Sequence, residues 1–495
     1  MSLVKDKYLV IVLLGGIITI VVFLYLHPCQ SKEYRNLVLE IHEHKPVNNW
    51  SDTLNISIEE PQCAYINIYE TRRLPKRKGT KDIRARLEYH DNNGNTFDKP
   101  VWLYAQGQST LAQDKRNIGV RFCDKNEDSG DLELELSIGN WVPQKEFHLK
   151  ANWYDCFRGS QTFSYKLYEQ MNPSEGQELY HPDGFPCIVY LNGEFYGIYA
   201  WQLKKNRKNM GLTKNNPCHI WLDGTLSNST FFNGEIKWES FEIRNPKHPT
   251  SSVIDSIKSF SRFCSLLTEI ESNGTDSVII KKALDCRLDI KRVIDYICFI
   301  QLTNNADGYA KNWQWVTTDG HRWSVYPYDL DGCFGYELGH FVNDGKSTWI
   351  KPTGPLFWVW NYYREEIRDR WNDLRLLGIF DIDNIMNLAV DWTSRIGEDN
   401  YTKEKMKWPQ APCYNDFVPD PHWELVSGYK EIPYYDPKKI YEIGDSCFWD
   451  FRIWKAVQRS KGNLPYIKYG YKDSMDRLKQ WVDDRLMVED EFMNQ

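Results

Sequence analysis

Residues 289–335 constrain the fold of this chain more than any other stretch. Asp289 can cap a helix whose residues Ile290, Val293, Ile294, Ile297 and Gln301 fall on one face over 289–302. The pattern stops at Thr303-Asn304-Asn305, so Asp307 lies on the loop leaving a buried helix. Residues 313–317 and 323–328 then alternate as two strands around Asp319-Gly320, a hairpin signal, and the second strand ends at Asp329. Residues at the open end of a hairpin are neighbours, so Asp329 returns toward Asn312 and Asp307. One carboxylate to take a proton, one amide oxygen and further carboxylates for a magnesium ion are the parts phosphoryl transfer needs. Asp331, two residues on, is a second candidate ligand, although it could equally turn the loop before Gly332. Asp307 and Asp329 flank apolar elements, where an idle carboxylate is costly.

Ahead of this stretch the pattern is β-rich. Period-two alternation runs from Cys63 to Phe122 with a turn at Asn92-Asn93-Gly94, and another strand covers 146–153. A helical stretch spans 162–171, and 186–203 reads as a hairpin turning at Asn192-Gly193. Helical spacing then dominates: 252–271, 276–283, 362–375, 382–395 and 474–492. Between 404 and 470 the composition shifts to Pro409, Pro412, Pro419, Pro421, Pro433 and many aromatics, which predicts an insertion. The boundaries that follow are 1–30 (leading apolar segment), 31–61 (polar tether), 62–215 (β-rich part), 216–403 (helical part), 404–470 (insertion) and 471–495 (closing helix).

Hydrophobic content of 41% with 26% charged residues describes an ordinary globular chain, and a net charge of −7 argues against nucleic acid as a partner. Residues 8–26 carry no charge and are nearly all apolar, enough for one membrane-spanning helix. They predict an N-terminal transmembrane anchor, in preference to a signal that is cleaved or lipidated at Cys29, with the main body outside the cytoplasm. The 12 cysteines are scattered singly, with no spacing that suggests a zinc site.

A β-rich part, a helical part, then a catalytic-type loop, hairpin and metal carboxylate is the order of parts in a protein kinase, and Asp307-x4-Asn312 matches its loop spacing. Yet no His-Arg precedes Asp307, no GxGxxG loop occurs early, and no Ala-Pro-Glu follows. The chain resembles instead the spore-coat protein H (CotH) kinase family of atypical secreted or surface kinases. The resemblance rests on AQGQSTLAQDKRNIGVRF (105–122), HLKANWYDCFRG (148–159), YLNGEFYGIYAW (190–201), the NNADGYAKNW loop and YPYDLDGCFG. It implies an α+β, two-lobed atypical kinase fold with a β-rich N-terminal and a mainly helical C-terminal lobe. It implies Asp307 as the catalytic carboxylate, Asn312 and Asp329 as metal ligands with Asp331 as a further candidate, and ATP and Mg²⁺ as cofactors. Gly107, Gln108 and Ser109 would form a turn over the phosphates. Lys150 is the first candidate to pair with phosphate, Lys115 the alternate, and Glu169 is offered as the acidic partner of that lysine. After GIYAW the family often carries Glu, whereas this chain has Gln202-Leu203-Lys204-Lys205, which puts that Glu's role in doubt.

The expected activity is transfer of the ATP γ-phosphate to Ser or Thr of an extracytoplasmic protein. AMP transfer, a glycosidase and a non-catalytic surface binder are the alternatives. Residues 441–465 look like small carbohydrate-binding modules, with Tyr441, Trp449 and Trp454 as sugar-stacking candidates, set against a hairpin that buries its own aromatics.

Overall fold

In a computed structural model the chain divides into a short unit, Met1–Asn48, and a main unit, Asn49–Gln495. The structure describes 10–14, 17–21, 48–49 and most of 55–493. Outside the described residues within that last span lie 72, 77, 79–80, 108, 124–134, 174–178, 225–231, 233–235, 237, 275, 338–340, 343–344, 347–351, 415–421, 427–431, 450–451, 464 and 466–472.

The leading apolar run does not form the expected membrane helix. Val10–Leu14 and Ile17–Val21 pair antiparallel, with Leu14 opposite Ile17. The Val and Ile residues on either side of Gly15-Gly16 favour strand. The remainder of 8–26 lies outside the described residues. No helix among the described residues is long and apolar enough to cross a membrane.

In the main unit seven strands close into a ring: β1 (Ala64–Tyr69), β2 (Ile83–Asp91), β3 (Asn95–Ala105), β4 (Ile118–Phe122), β5 (Glu146–Lys150), β6 (Gly184–Leu191) and β7 (Glu194–Leu203). Around the ring the order is β1-β2-β3-β4-β5-β7-β6 and back to β1; every pairing is antiparallel except β1 with β6. Inward positions such as Ile66, Leu87, Val101, Val120, Phe147, Phe185 and Trp201 fill the interior as one cluster. The β6–β7 turn uses Asn192 and Gly193, both at positive φ, as their sequence predicts. On β6 and β7 the opposite face is apolar too: Ile188, Ile198 and Ala200 join the core of the helical part. That second apolar face holds the ring against the helices.

The helical part contains α1 (Ser160–Met171), α2 (Ser251–Ser261), α3 (Phe263–Ser272), α4 (Ser277–Arg287), α5 (Ile290–Thr303), α6 (Ala306–Ala310), α7 (Pro355–Tyr362), α8 (Arg364–Leu376), α9 (Ile382–Ile396), α10 (Glu398–Lys407) and α11 (Met475–Met493). A four-stranded antiparallel sheet joins them, in the order β9 (Phe241–Asn245), β8 (Ile220–Gly224), β10 (Trp313–Thr317), β11 (Ser324–Pro327). The Asp289 carboxylate caps α5 by accepting from Arg292 N at 3.4 Å, and Asn304 ends the helix in the left-handed region. One face of α5 was expected to be buried; the structure buries 293–303 without a break, because α1, α7, α8 and α11 all pack on it.

Residues 423–456 hold a separate small sheet of β12 (Trp423–Val426), β13 (Ser446–Trp449) and β14 (Arg452–Ala456). Tyr441 and Trp454 lie inside its core with Trp423, which removes those two rings from any sugar-stacking surface. Tyr434, 76% exposed, is a ring that faces solvent, and the Trp449 side chain lies outside the described residues.

A buried ion cluster joins ring and helices. Glu404 on α10 accepts from Lys115 Nζ at 2.7 Å through Oε1 and from Ile198 N at 2.8 Å through Oε2, and its Oε1 forms an ion pair with Arg158 Nε at 2.9 Å. All three charged side chains are fully buried. Arg158 also donates to the carbonyls of Asn152, Trp153 and Asp155, which shapes the loop leaving β5. Removing one partner of such a cluster leaves uncompensated charge in a dry interior. Glu404→Ala is therefore expected to lower unfolding free energy by roughly 3–5 kcal/mol. Urea titration reads this, and a midpoint equal to the parent's would show that the cluster does not hold the interface.

Candidate functional site

Asp307 lies in the first turn of α6, directly after α5 has ended at Asn304. Lys311, one helical turn on, places Nζ 3.0 Å from Asp307 Oδ2. Trp313 pairs with Pro327 across the β10–β11 hairpin, so Asn312 and Asp329 flank its open end as the hairpin geometry requires. Both residues take positive φ, 59° and 54°, a conformation that Asn and Asp tolerate better than most side chains. At the far end of the hairpin the Asp319 carboxylate accepts from the N–H groups of His321 and Arg322, so this aspartate builds the turn.

Asp329 is the meeting point of the two parts of the molecule. Its Oδ1 lies 3.5 Å from Lys150 Nζ, at the end of β5, and 3.1 Å from Gln161 Nε2, on the first turn of α1. Its backbone N–H donates to the Tyr165 hydroxyl at 3.0 Å. Gln161 and Tyr165 are four residues apart and so share one face of α1. Burial works against the Asp329 charge, but Lys150, the Gln161 amide and Lys205 together hold its carboxyl below the usual range.

Asp331 behaves oppositely. Enclosure of the site, then repulsion from Asp329 and Asp307, push its carboxyl up to about 8, against the pull of Lys150 and Lys311, even though its side chain reaches solvent. Crowded like charges of this kind are relieved by a cation. Phe334 behind the loop is buried against Phe163 and Trp481, and Arg477 on α11 donates to its carbonyl at 2.7 Å.

A cleft opens beside these groups, lined by Thr110, Gln113, Asn117, Lys150, Asp155, Gln161 and Asp331 among others. Lys150 is thus the lysine of the cleft. The Lys115 ammonium is directed elsewhere, to Glu404 and the carbonyls of Ala151 and Ile198. Glu169 is not the partner of Lys150: it sits near Lys166, Asp183 and Glu60, and the carboxylate beside Lys150 is Asp329. Gly107 has φ 103°, and a methyl group there would lie 1.9 Å from Thr110 Oγ1, so only glycine fits this turn. Gln108 lies outside the described residues. Ser109 begins a short 3₁₀ turn, Ser109–Ala112.

Several site residues were not anticipated from sequence: Gln161, Tyr165, Lys205 and Asp223. Lys205 pairs with Asp223, which also receives Arg244 at 2.8 Å and Gln314 at 2.5 Å, and its ammonium sits 3.6 Å from the Tyr328 ring centre. Burial lowers Lys205 to about 8, with the Arg244 charge adding to the effect and Asp223 opposing it. The Lys204-Lys205 pair, already noted as a departure from the family pattern, was the available signal.

Among the described residues no three His, Cys, Asp or Glu gather closely enough to hold a metal ion by themselves. A small hard cation takes one or two carboxylates and completes its shell with phosphate oxygens and water. Asp329, Asp331 and the Asn312 amide are an all-oxygen set of that kind, and the raised Asp331 carboxyl fits a group that a cation would relieve. Because that carboxyl must lose its proton to bind, divalent affinity is expected to rise with pH up to about 8, by at most roughly tenfold per unit. Mn²⁺ titrations from pH 6 to 8.5 check this; a flat profile in the parent, or an unaltered slope in Asp331→Asn, would separate Asp331 from the metal.

No curated protein matches the chain. A family model described as "CotH kinase protein" matches residues 103–488, from the end of β3 nearly to the end of α11 and across the whole site. The chain belongs to the CotH kinase protein family.

Proposed function

We propose that the protein is an atypical kinase that transfers the γ-phosphate of ATP to a Ser or Thr hydroxyl of a protein substrate, with Mg²⁺. Family membership supports kinase-type chemistry with ATP and a metal in general terms. The observation that carries the finer reading is the charge arrangement at one cleft: Lys150 paired with Asp329, and Asp331 crowded by Asp329 and Asp307.

In this reading the ring forms one wall of the nucleotide cleft and the helical part the other. Lys150 and the Gly107 turn meet the phosphates, where backbone N–H groups can approach closely. Asn312, Asp329 and Asp331 supply the oxygen ligands for the metal, and the metal supplies neutralisation of charge on the transferring phosphoryl group. Asp307 orients the incoming hydroxyl and accepts its proton, and Lys311 fixes the Asp307 carboxylate from one side. Lys205, held under Tyr328 and paired to Asp223, adds positive potential behind Asp329. In this reading the substrate lies outside the cytoplasm, which the secreted and surface character of the family supports. The 423–456 sheet, with its exposed Tyr434, is a candidate contact for that substrate or a glycan on it.

The test is phosphate transfer from γ-labelled ATP by the parent, Asp307→Ala and Asp329→Ala. Both variants are expected to lose at least 100-fold in rate. Equal incorporation in all three removes the kinase reading, and label from α-labelled ATP with a gain of AMP mass assigns nucleotide transfer instead. Lys150→Met is expected to weaken nucleotide binding about tenfold or more, as one charge-assisted contact is lost. Isothermal titration with Mg-ADP reads this, and unchanged affinity would take Lys150 out of the phosphate site.

A further inference from the structure

Asn305 stands two residues before Asp307, at the N-cap of α6. Asparagine is among the residues best suited to cap a helix through its side chain. Here the side chain makes no capping bond, and the backbone carbonyl alone accepts from Gly308 N at 2.9 Å. The residue is 1% exposed, and neither Oδ1 nor Nδ2 has a hydrogen-bond partner in the structure. Fully unpaired buried amides are rare in native proteins and ask for an explanation.

The orientation of that amide supplies one. A methyl group built on Gly332 would lie 3.0 Å from Asn305 Oδ1. Gly332 directly follows Asp331, so the unpaired amide faces the turn that carries Asp329 and Asp331. The backbone of that turn is poised, with left-handed φ at Asp329 and again at Phe334. Glycine at 332 keeps the space between amide and turn open.

We propose that Asn305 is a positioning residue for the divalent-cation site. When a cation engages Asp329 and Asp331, the 329–332 turn forms its hydrogen bonds with the Asn305 amide. The turn bearing the cation ligands is thereby tied to the turn bearing Asp307. The amide is unpaired before binding and paired after it, so it contributes to cation affinity and little to the stability of the metal-free fold. This inference rests on the proposed phosphoryl-transfer reading.

The experiment is Mn²⁺ titration followed by electron paramagnetic resonance on the full chain, with metal-free thermal unfolding measured in parallel. The proteins compared are the parent, Asn305→Ala and Gly332→Ala. Asn305→Ala is expected to weaken Mn²⁺ about tenfold, as loss of a group that orients metal ligands does, with metal-free Tm unchanged. Gly332→Ala, whose methyl presses on the amide, is expected to weaken Mn²⁺ in the same direction, and it serves as the test if Asn305→Ala does not fold. Parent-like Mn²⁺ affinity in both variants overturns the inference and leaves the kinase reading standing. A lowered metal-free Tm with parent-like affinity shows a purely structural amide and overturns it too. A parent that binds no Mn²⁺ overturns the metal-dependent reading and this inference together.

Discussion

The contact between Lys150 and Asp329 is the one on which the architecture turns. Lys150 ends a strand of the closed ring, and Asp329 ends a hairpin of the helical part, 179 residues later in the chain. Neither group could be left alone at a half-enclosed interface, since each would lose hydration without gaining a partner. Gln161 and Tyr165, projecting from the helix between them in sequence, hold Asp329 by its side chain and its backbone. A single residue is thus held from two elements, β5 and α1, and the left-handed backbone at Asp329 is sustained by those contacts. This is how a group with function is usually held: on the ends of rigid elements, with supporting bonds from others.

Behind that contact lies the Lys115–Glu404–Arg158 cluster, which does a different job. Its charges are sealed from solvent, and its bonds run to backbone carbonyls of the loop leaving β5 as well as to each other. That loop contributes Asn152, Trp153, Tyr154 and Asp155 to the cleft. A buried ion cluster is weak as a source of net stability but exacting about geometry, because each member must keep its partners. The cleft wall inherits that geometry. The two lysines that sequence reading set side by side as phosphate contacts therefore occupy distinct environments, one in the cleft and one in the frame behind it.

What could be read from sequence followed from locality. The hairpin that returns Asp329 to Asn312 needs only alternation and a turn, both visible within a few residues, and α5 announced itself through its cap and its apolar spacing. The ring's strands were visible as period-two runs, but its closure was not, since pairing of β4 with both β3 and β5 leaves no local mark. Glu404 was beyond reach for the same reason. It sits 289 residues from Lys115, in a charged helix whose exposed residues conceal one inward carboxylate. The leading apolar run shows the opposite failure: its composition suits a membrane helix, yet the Gly-Gly pair and the β-branched residues suit a hairpin. Hydropathy counts residues; conformational preference depends on which ones they are.

The pattern of charge around the site has its own logic. Lys150, Lys205, Arg244 and Lys311 surround Asp223, Asp307, Asp329 and Asp331, so that fixed cations and anions alternate through the enclosure. Asp223 is committed to Lys205 and Arg244, and Asp307 to Lys311, which leaves Asp331 as the carboxyl that enclosure, and then repulsion, drive toward its neutral form. A site so arranged is held in check without a further cation and resolved by one. The same holds for Asn305, whose polar atoms are buried without partners beside the Asp331 turn. An excess carboxylate and an unsatisfied amide on adjoining turns are two costs that a single bound cation could offset, and that coincidence ties the turn of Asp307 to the turn of Asp329.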